Sequence, residues 1–227
     1  MSGDFKFKKF VIHQDRCGMK VGTDSVSLGI WANGGKKILD IGSGTGILSL
    51  MMAQRFPEAH IIGVEIDQDA ANQSRENIKE SIFKDRIDIF NLSIQDYYSQ
   101  YTTEKFDCVV SNPPYFTNSL KAKGDQRCMA RHNDTLSFKD LMVYCSKMLC
   151  DEGLFSVIIP TESATDIEME AMLVGFYIVR RCELYSKVGT QAKRLMIEFR
   201  KKRMPIEESS LTLNTEKYIN MTKDFYL

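Results

Sequence analysis

Short apolar runs alternate with amphipathic stretches along most of the chain. Lys37-Ile38-Leu39-Asp40-Ile41 is a short apolar run ending in glycines, a buried strand by its length. From Gly46 to about Arg55, Ile47, Leu48, Leu50, Met51 and Met52 line the apolar side of a helix. A second strand is read over 60–65, and Asp67 is placed to cap a helix over 69–80. Further strands cover 87–91 and 106–111, the latter stopped by Asn112-Pro113-Pro114. Residues 137–149 return to the helical period, and Gly153 precedes a continuous apolar strand over 154–159. Strands that alternate with helices predict a parallel sheet covered on both faces. The end differs: 176–185 and 193–200 are strand-like runs joined by Ser186 to Gln191, which predicts a closing hairpin. The reading is one α/β domain over residues 1–227, with short N-terminal (about 1–33) and C-terminal (about 204–227) extensions.

Composition narrows the class without changing the fold. With 227 residues, 43% hydrophobic and 26% charged, the chain is neither disordered nor collagen-like nor a disulfide scaffold. No apolar run approaches the roughly 20 residues that span a bilayer. The opening nine residues hold no apolar stretch to act as a signal peptide, so a soluble, cytoplasmic protein with no membrane partner is expected. The six cysteines show neither CxxC pairs nor zinc-type spacing, which predicts reduced thiols and no metal. Lysine plus arginine balance aspartate plus glutamate at 30 each, but unevenly: 112–136 carries +2 and 176–203 carries +7, against −5 over 21–111. Basic stretches on an acidic body suit a polyanion binder, and equally suit solvated lysines and arginines guarding an edge hairpin.

Candidate chemistry begins at Asp40-Ile41-Gly42-Ser43-Gly44-Thr45-Gly46, between the first strand and its helix. Ligands of an open parallel sheet bind at the carboxyl ends of its strands, and glycines there admit a ligand close to the backbone. The spacing is GxGxG, not the GxGxxG of pyrophosphate-binding folds, and a plain tight turn would also fit it. Glu65 ends the next strand about 20 residues on, where a carboxylate can accept both hydroxyls of a ribose. An acid there welcomes a nucleoside and offers nothing to a phosphate. Asp96 can accept a hydrogen bond from an adenine amino group, with Ile94 and Gln95 beside the ring, or it can be the N-cap of a helix through Tyr97-Tyr98.

Together these residues resemble the class I S-adenosylmethionine-dependent methyltransferases, over about residues 20–200. The resemblance implies a Rossmann-like sheet of seven strands, mostly parallel with the last antiparallel, with helices on both faces. It implies S-adenosyl-L-methionine as cofactor, held by Asp40, Gly42, Gly44, Gly46, Glu65, Ile66, Gln95, Asp96 and Asn112.

Ser111-Asn112-Pro113-Pro114-Tyr115-Phe116 follows the fourth strand, at the same edge of the sheet. A rigid Pro-Pro turn is one reading. The other is catalytic. An amino group on a base or amide is a poor nucleophile because its lone pair is delocalised. Acceptors aimed at its hydrogens, the Asn112 side-chain oxygen and the Pro113 carbonyl, would localise that pair. Prolines hold such acceptors without reorganisation at the transition state, and Tyr115 offers the planar group a face to stack on. The motif resembles the NPPY of amino-methylating enzymes, whose targets include adenine N6, guanine N2 and protein glutamine. This assigns a catalytic set of Asn112, Pro113, Pro114 and Tyr115.

Three further stretches bear on the substrate: Phe10 through Asp24, with Met19-Lys20-Val21-Gly22-Thr23-Asp24; Arg127-Cys128-Met129-Ala130-Arg131-His132; and the terminal Asp224-Phe225-Tyr226-Leu227. They resemble the bacterial tRNA(Val) (adenine-N6)-methyltransferase family over nearly the whole chain. That family modifies the adenine 3′ to the anticodon, so the expected partner is a tRNA anticodon loop and the expected state a monomer. By this resemblance Lys20, Gly22, Thr23 and Asp24 close over the cofactor, while by helix signals Thr23 or Asp24 is an N-cap. Phe116, Lys121, Lys123, Arg127, Arg131 and His132 would meet the RNA, and Arg180, Arg181, Lys187, Lys193, Arg194 and Arg200 to Arg203 could hold phosphates. Ser25-Val26-Ser27 departs from the family pattern and is expected to alter packing near the cofactor. Competing readings are a protein-glutamine N5-methyltransferase, which shares NPPY, a non-catalytic RNA-binding module, and a nicotinamide oxidoreductase, which the loop spacing disfavours.

Overall fold

The computed structural model describes residues 3–101, 103–114 and 136–226. Phe5–Lys6 (β1) and Val11–Ile12 (β2) pair as a small antiparallel ribbon, followed by the helix Thr23–Trp31 (α1). The predicted alternation then runs in order: Lys37–Ile41 (β3), Ile47–Arg55 (α2), His60–Val64 (β4), Gln68–Lys79 (α3), Ile87–Phe90 (β5), Ile94–Gln100 (α4) and Phe106–Ser111 (β6). After the described chain resumes come Phe138–Met148 (α5), Leu149–Pro160 (β7), Ala164–Leu173 (α6), Tyr177–Tyr185 (β8), Arg194–Arg200 (β9), Glu207–Thr212 (β10) and Glu216–Thr222 (α7). Among the described residues no helix is long and apolar enough to cross a membrane.

The large sheet has the order β10-β8-β9-β7-β6-β3-β4-β5. Only β9 runs against its neighbours, pairing antiparallel with both β7 and β8. The sheet is thus the expected mostly parallel one, with eight strands rather than seven. The eighth is β10, which pairs parallel with β8 from Glu207 opposite Arg180 to Thr212 opposite Tyr185. Its sequence Glu-Glu-Ser-Ser-Leu-Thr is an exposed edge with a single buried side chain, Leu211, so no apolar period marks it.

Alternation along the strands builds two cores. Ile38, Ile61, Cys108, Val110, Ile158 and Met196 face one side, where Leu28, Leu50 and Met51 of α1 and α2 cover them. Leu39, Ile62, Val109, Phe155, Val157 and Ile197 face the other, against Tyr97 of α4 and Leu141 and Met142 of α5. The two ends of the chain meet on the first side. Lys8 N donates to Phe225 O at 2.8 Å, and Phe7 stacks on Tyr226 with ring centroids 5.8 Å apart. The C-terminal extension therefore packs on the N-terminal ribbon.

From β3 the chain winds outward through β4 to β5, then returns to β6 on the other flank of β3. The loops after β3 and β6 diverge there, which opens a crevice at the carboxyl edge of the sheet.

Candidate active site

The glycine loop leaves β3 bonded to the neighbouring strand. Gly42 N and Ser43 N donate to Val64 O at 2.8 and 3.2 Å, which ties the loop to the end of β4. Gly42, Gly44 and Gly46 have φ of +73°, +53° and +80°, a region that side-chain-bearing residues avoid. The three serve different ends. A Cβ on Gly42 or Gly44 would meet no atom within 4 Å, because both face a cavity of about 610 Å³. A Cβ on Gly46 would lie 2.5 Å from Ser74 Oγ. Gly46 is therefore the close-packed N-cap of α2 against α3, not a lining residue as expected.

Glu65 lines the same cavity beside the glycine loop. Its Oε2 accepts from Gly44 N at 2.8 Å and its Oε1 from Asp67 N at 2.9 Å. Asn91 Nδ2 donates to Glu65 O at 2.9 Å and holds the backbone behind it. Burial raises the Glu65 carboxyl above its ordinary range, against the pull of the two amides. Ile66, Gln95 and Asp96 also line the cavity, with Ile41, Val64, Leu92 and Ile94 as apolar walls. Asp96 is not the N-cap of α4. Ser93 is, accepting from Asp96 N at 3.0 Å and donating to Asp96 Oδ2 at 2.6 Å, so the acid holds the capping hydroxyl from the third helical position.

Asp40 is placed differently from its expected role. It is fully buried under the loop, lines neither cavity described here, and accepts from Ser49 Oγ at 2.7 Å. Burial pushes its carboxyl up to about 7. Asp40 supports the loop from below by holding the first turns of α2.

A second cavity of about 300 Å³ adjoins the first, with Met19, Gly42, Gly44 and Asn112 lining both. Lys20, Gly22, Thr23 and Asp24 line this second space together with Ser25 and Arg194. The N-cap of α1 is Gly22, with no side chain capping it, so neither Thr23 nor Asp24 caps the helix. Asp24 instead accepts from Arg194 Nε at 2.6 Å, which pins the start of α1 to β9. Asn112 Nδ2 donates to Ser25 Oγ at 2.9 Å. Pro114 lines the larger cavity and Pro113 is buried. Tyr115, Phe116, Lys121, Lys123, Arg127, Arg131 and His132 lie outside the described residues.

Sequence reading missed the strap over this site. Cys17, Gly18 and Met19 line the larger cavity. Asn77 of α3 holds the strap's near end, accepting from His13 N at 2.9 Å and donating to His13 O at 3.0 Å. Gln73 accepts from Arg16 N at 2.9 Å. Both amides are 1% exposed. Polar residues on the buried face of a helix were the available signal. The Cys17 thiol, pushed up to about 11 by burial and by nearby Glu65 and Asp67, stays protonated at neutral pH.

Comparison with known proteins decides the family. A family model described as "Methyltransferase small domain" matches residues 22–137. A tRNA1(Val) (adenine(37)-N6)-methyltransferase of Bacteroides thetaiotaomicron is 42% identical, over 98% of this chain and 97% of the relative. One of Trichodesmium erythraeum is 41% identical with the same coverage. The chain belongs to this methyltransferase family. Among solved structures, a predicted O-methyltransferase from Agrobacterium tumefaciens superposes with a TM-score of 0.70 at 18% identity, covering 89% of this chain and 96% of the other, a likeness of fold.

S-adenosyl-L-methionine, the cofactor of this methyltransferase family, fits the residues present. Among the described residues lining the larger cavity are the carboxylates Glu65, Asp67 and Asp96, and no lysine or arginine. Such a lining accepts ribose hydroxyls and an adenine amino group but repels a pyrophosphate. The space left by the missing Cβ atoms of Gly42 and Gly44 lets a ligand lie against the backbone.

The basic stretch over 176–203 divides. Arg180 pairs with Glu198 at 3.1 Å, Arg181 with Glu168, and Arg194 with Asp24, so these three serve internal contacts. Lys201 Nζ donates to Leu149 O at 2.7 Å. Because β9 runs antiparallel, Arg200 to Arg203 emerge at the edge of the sheet opposite the cavities, about 20 Å from Arg194. Lys187 and Lys193, in the β8–β9 turn, are exposed at the cavity edge.

Proposed function

We infer that this protein transfers a methyl group from S-adenosyl-L-methionine to the N6 amino group of the adenine 3′ to the anticodon in tRNA(Val). The observation that carries the reading is the place of Asn112. It directly follows β6 at the carboxyl edge of the sheet and lines both the carboxylate-rich cavity and its neighbour. The bound cofactor supplies an electrophilic methyl group on a sulfonium.

The chain's own residues do the rest. Glu65 accepts the ribose hydroxyls while the two backbone amides on its oxygens hold it still. Ile41, Val64, Leu92 and Ile94 exclude water around the adenine ring of the cofactor. The Asn112 side-chain oxygen and the Pro113 carbonyl accept the two hydrogens of the target amino group, which localises its lone pair towards the methyl. Pro113 and Pro114 fix that backbone. Tyr115 stacks on the flipped base, an extrusion that costs only a few kcal/mol in a loop. No side chain need take a proton first, because nitrogen sheds one readily once it becomes cationic. Lys121, Lys123, Arg127, Arg131 and His132 then hold the anticodon arm, joined by Lys187 and Lys193 at the cavity edge. In this reading the enzyme works as a cytoplasmic monomer.

The test is mass spectrometry of nucleosides from unmodified tRNA incubated with the protein and cofactor, beside Asn112→Ala. New N6-methyladenosine that is absent with Asn112→Ala is the expected result. No methylated nucleoside despite cofactor binding would refute it and favour a glutamine side chain as acceptor.

A further inference from the structure

Asn112 can assist the reaction only with its oxygen towards the target amino group. A primary carboxamide carries its acceptor and its donors on opposite sides of one carbon, so whatever fixes the nitrogen fixes the oxygen. In this protein the nitrogen is bonded to Ser25: Asn112 Nδ2 donates to Ser25 Oγ at 2.9 Å, across 87 residues of sequence. We propose that Ser25 is a positioning residue, which turns the acceptor end of the Asn112 carboxamide towards the substrate amino group. This rests on the function inferred above.

The platform under Ser25 is rigid. It lies in the first turn of α1, whose start is held by Arg194 Nε on Asp24 Oδ2 at 2.6 Å. The helix is pressed close on α2, where a Cβ at Gly29 would come within 2.6 Å of Met51 Sδ. Ser25 also lines the smaller cavity beside Asn112, so its hydroxyl stands at the border of the reacting space. The residues of the Ser25-Val26-Ser27 departure therefore part ways. Val26 and Ser27 are 1% and 0% exposed and pack in the core, as a change in packing predicts. Ser25 touches the catalytic amide, which packing alone did not anticipate. With alanine at 25, the carboxamide loses this acceptor, and an NH2 turned towards the target NH2 would set donor against donor.

A single neutral hydrogen bond nets about 1 kcal/mol, which corresponds to about a fivefold change in rate. The experiment compares the full-length protein with Ser25→Ala, Ser25→Thr, Asn112→Ala and the Ser25→Ala/Asn112→Ala double variant. It measures kcat, KM for each substrate and calorimetric binding of S-adenosylmethionine. Ser25→Ala is expected to lower kcat about fivefold with cofactor affinity within twofold, Ser25→Thr to restore it, and Ser25→Ala to add nothing once Asn112 is alanine. Full kcat in Ser25→Ala overturns the proposal. So does Ser25→Thr as slow as Ser25→Ala, or a loss confined to cofactor KM. The side-chain amide resonance of Asn112 reads the contact without turnover, and its failure to shift in Ser25→Ala also overturns the proposal. A wild-type protein inactive on tRNA would instead sink the assigned reaction, and the resonance would still judge the contact.

Discussion

Replacing Glu65 by glutamine keeps the shape of the side chain and removes one of its two acceptors. In the wild type both oxygens are in use, from Gly44 N at 2.8 Å and Asp67 N at 2.9 Å. Glutamine can serve only one of those amides, and its NH2 then faces the other. An amide left without a partner in such a half-buried place costs about 1–3 kcal/mol, so a loss of that size in unfolding free energy is expected. Cofactor affinity falls further. A hydroxyl that gives up a charged acceptor loses about 1.5–3 kcal/mol, which is about ten- to a hundredfold in Kd. Calorimetric titration with S-adenosylmethionine, alongside a thermal melt of the same samples, separates the two effects. The pH dependence adds a signature. Burial raises the Glu65 pKa, and the protonated acid resembles the amide, so wild-type affinity should weaken as pH falls through that raised value, whereas Glu65→Gln should not show this dependence. A folded Glu65→Gln protein that binds cofactor within twofold of wild type would refute the role given to this carboxylate.

The neighbouring glycines should fail in different ways. Gly44→Ala, with φ of +53° and open space around its Cβ, should lose about 1 kcal/mol of stability from backbone strain but at least tenfold in cofactor affinity, read by melting and calorimetry. Gly46→Ala must push Cβ against Ser74 Oγ 2.5 Å away, so its melting temperature should fall more than that of Gly44→Ala. His13 bridges Asp4 at 2.9 Å and Glu80 at 3.0 Å, and these two carboxylates raise its pKa. A raised pKa in the folded state means the bridge is fully present below the ordinary histidine value of about 6.5 and is lost as pH rises through the higher one. The exchange protection factors of the β1–β2 ribbon, taken relative to the unfolded chain at each pH, should accordingly fall across that window, and His13→Gln should abolish the fall.

Much of the fold could be read along the chain because its signals are local. Asp67, expected to cap a helix, does so through Ala70 N at 2.8 Å, and the buried strands begin and end within a residue or two of their apolar runs, except β7, which starts five residues early at Leu149. Where two local signals competed, the outcome turned on a neighbour. Asp96 yielded the N-cap to Ser93, and Thr23 and Asp24 yielded it to Gly22. β10 and α6 gave no local sign of themselves. β10 exposes most of its side chains, and α6 buries only Ile167 and Ala171 and leaves Met169, Met172 and Leu173 in solvent.

The alternating sheet, the glycine loop with its acid, and the Asn-Pro-Pro turn after a strand are all written in the order of residues along the chain. Each is set by residues within one element or its adjoining turn, where side-chain period and backbone restriction act directly. Which of those residues share a space follows from the packing of the elements. That packing buried Asp40 beneath the loop and set Gly46 against α3. It drew Arg194 onto Asp24 across 170 residues and brought Ser25 to Asn112 across 87. Such contacts depend on which strands lie side by side and on the one reversed strand, β9, and no periodicity along the chain encodes the distance between two elements that the sheet order brings together.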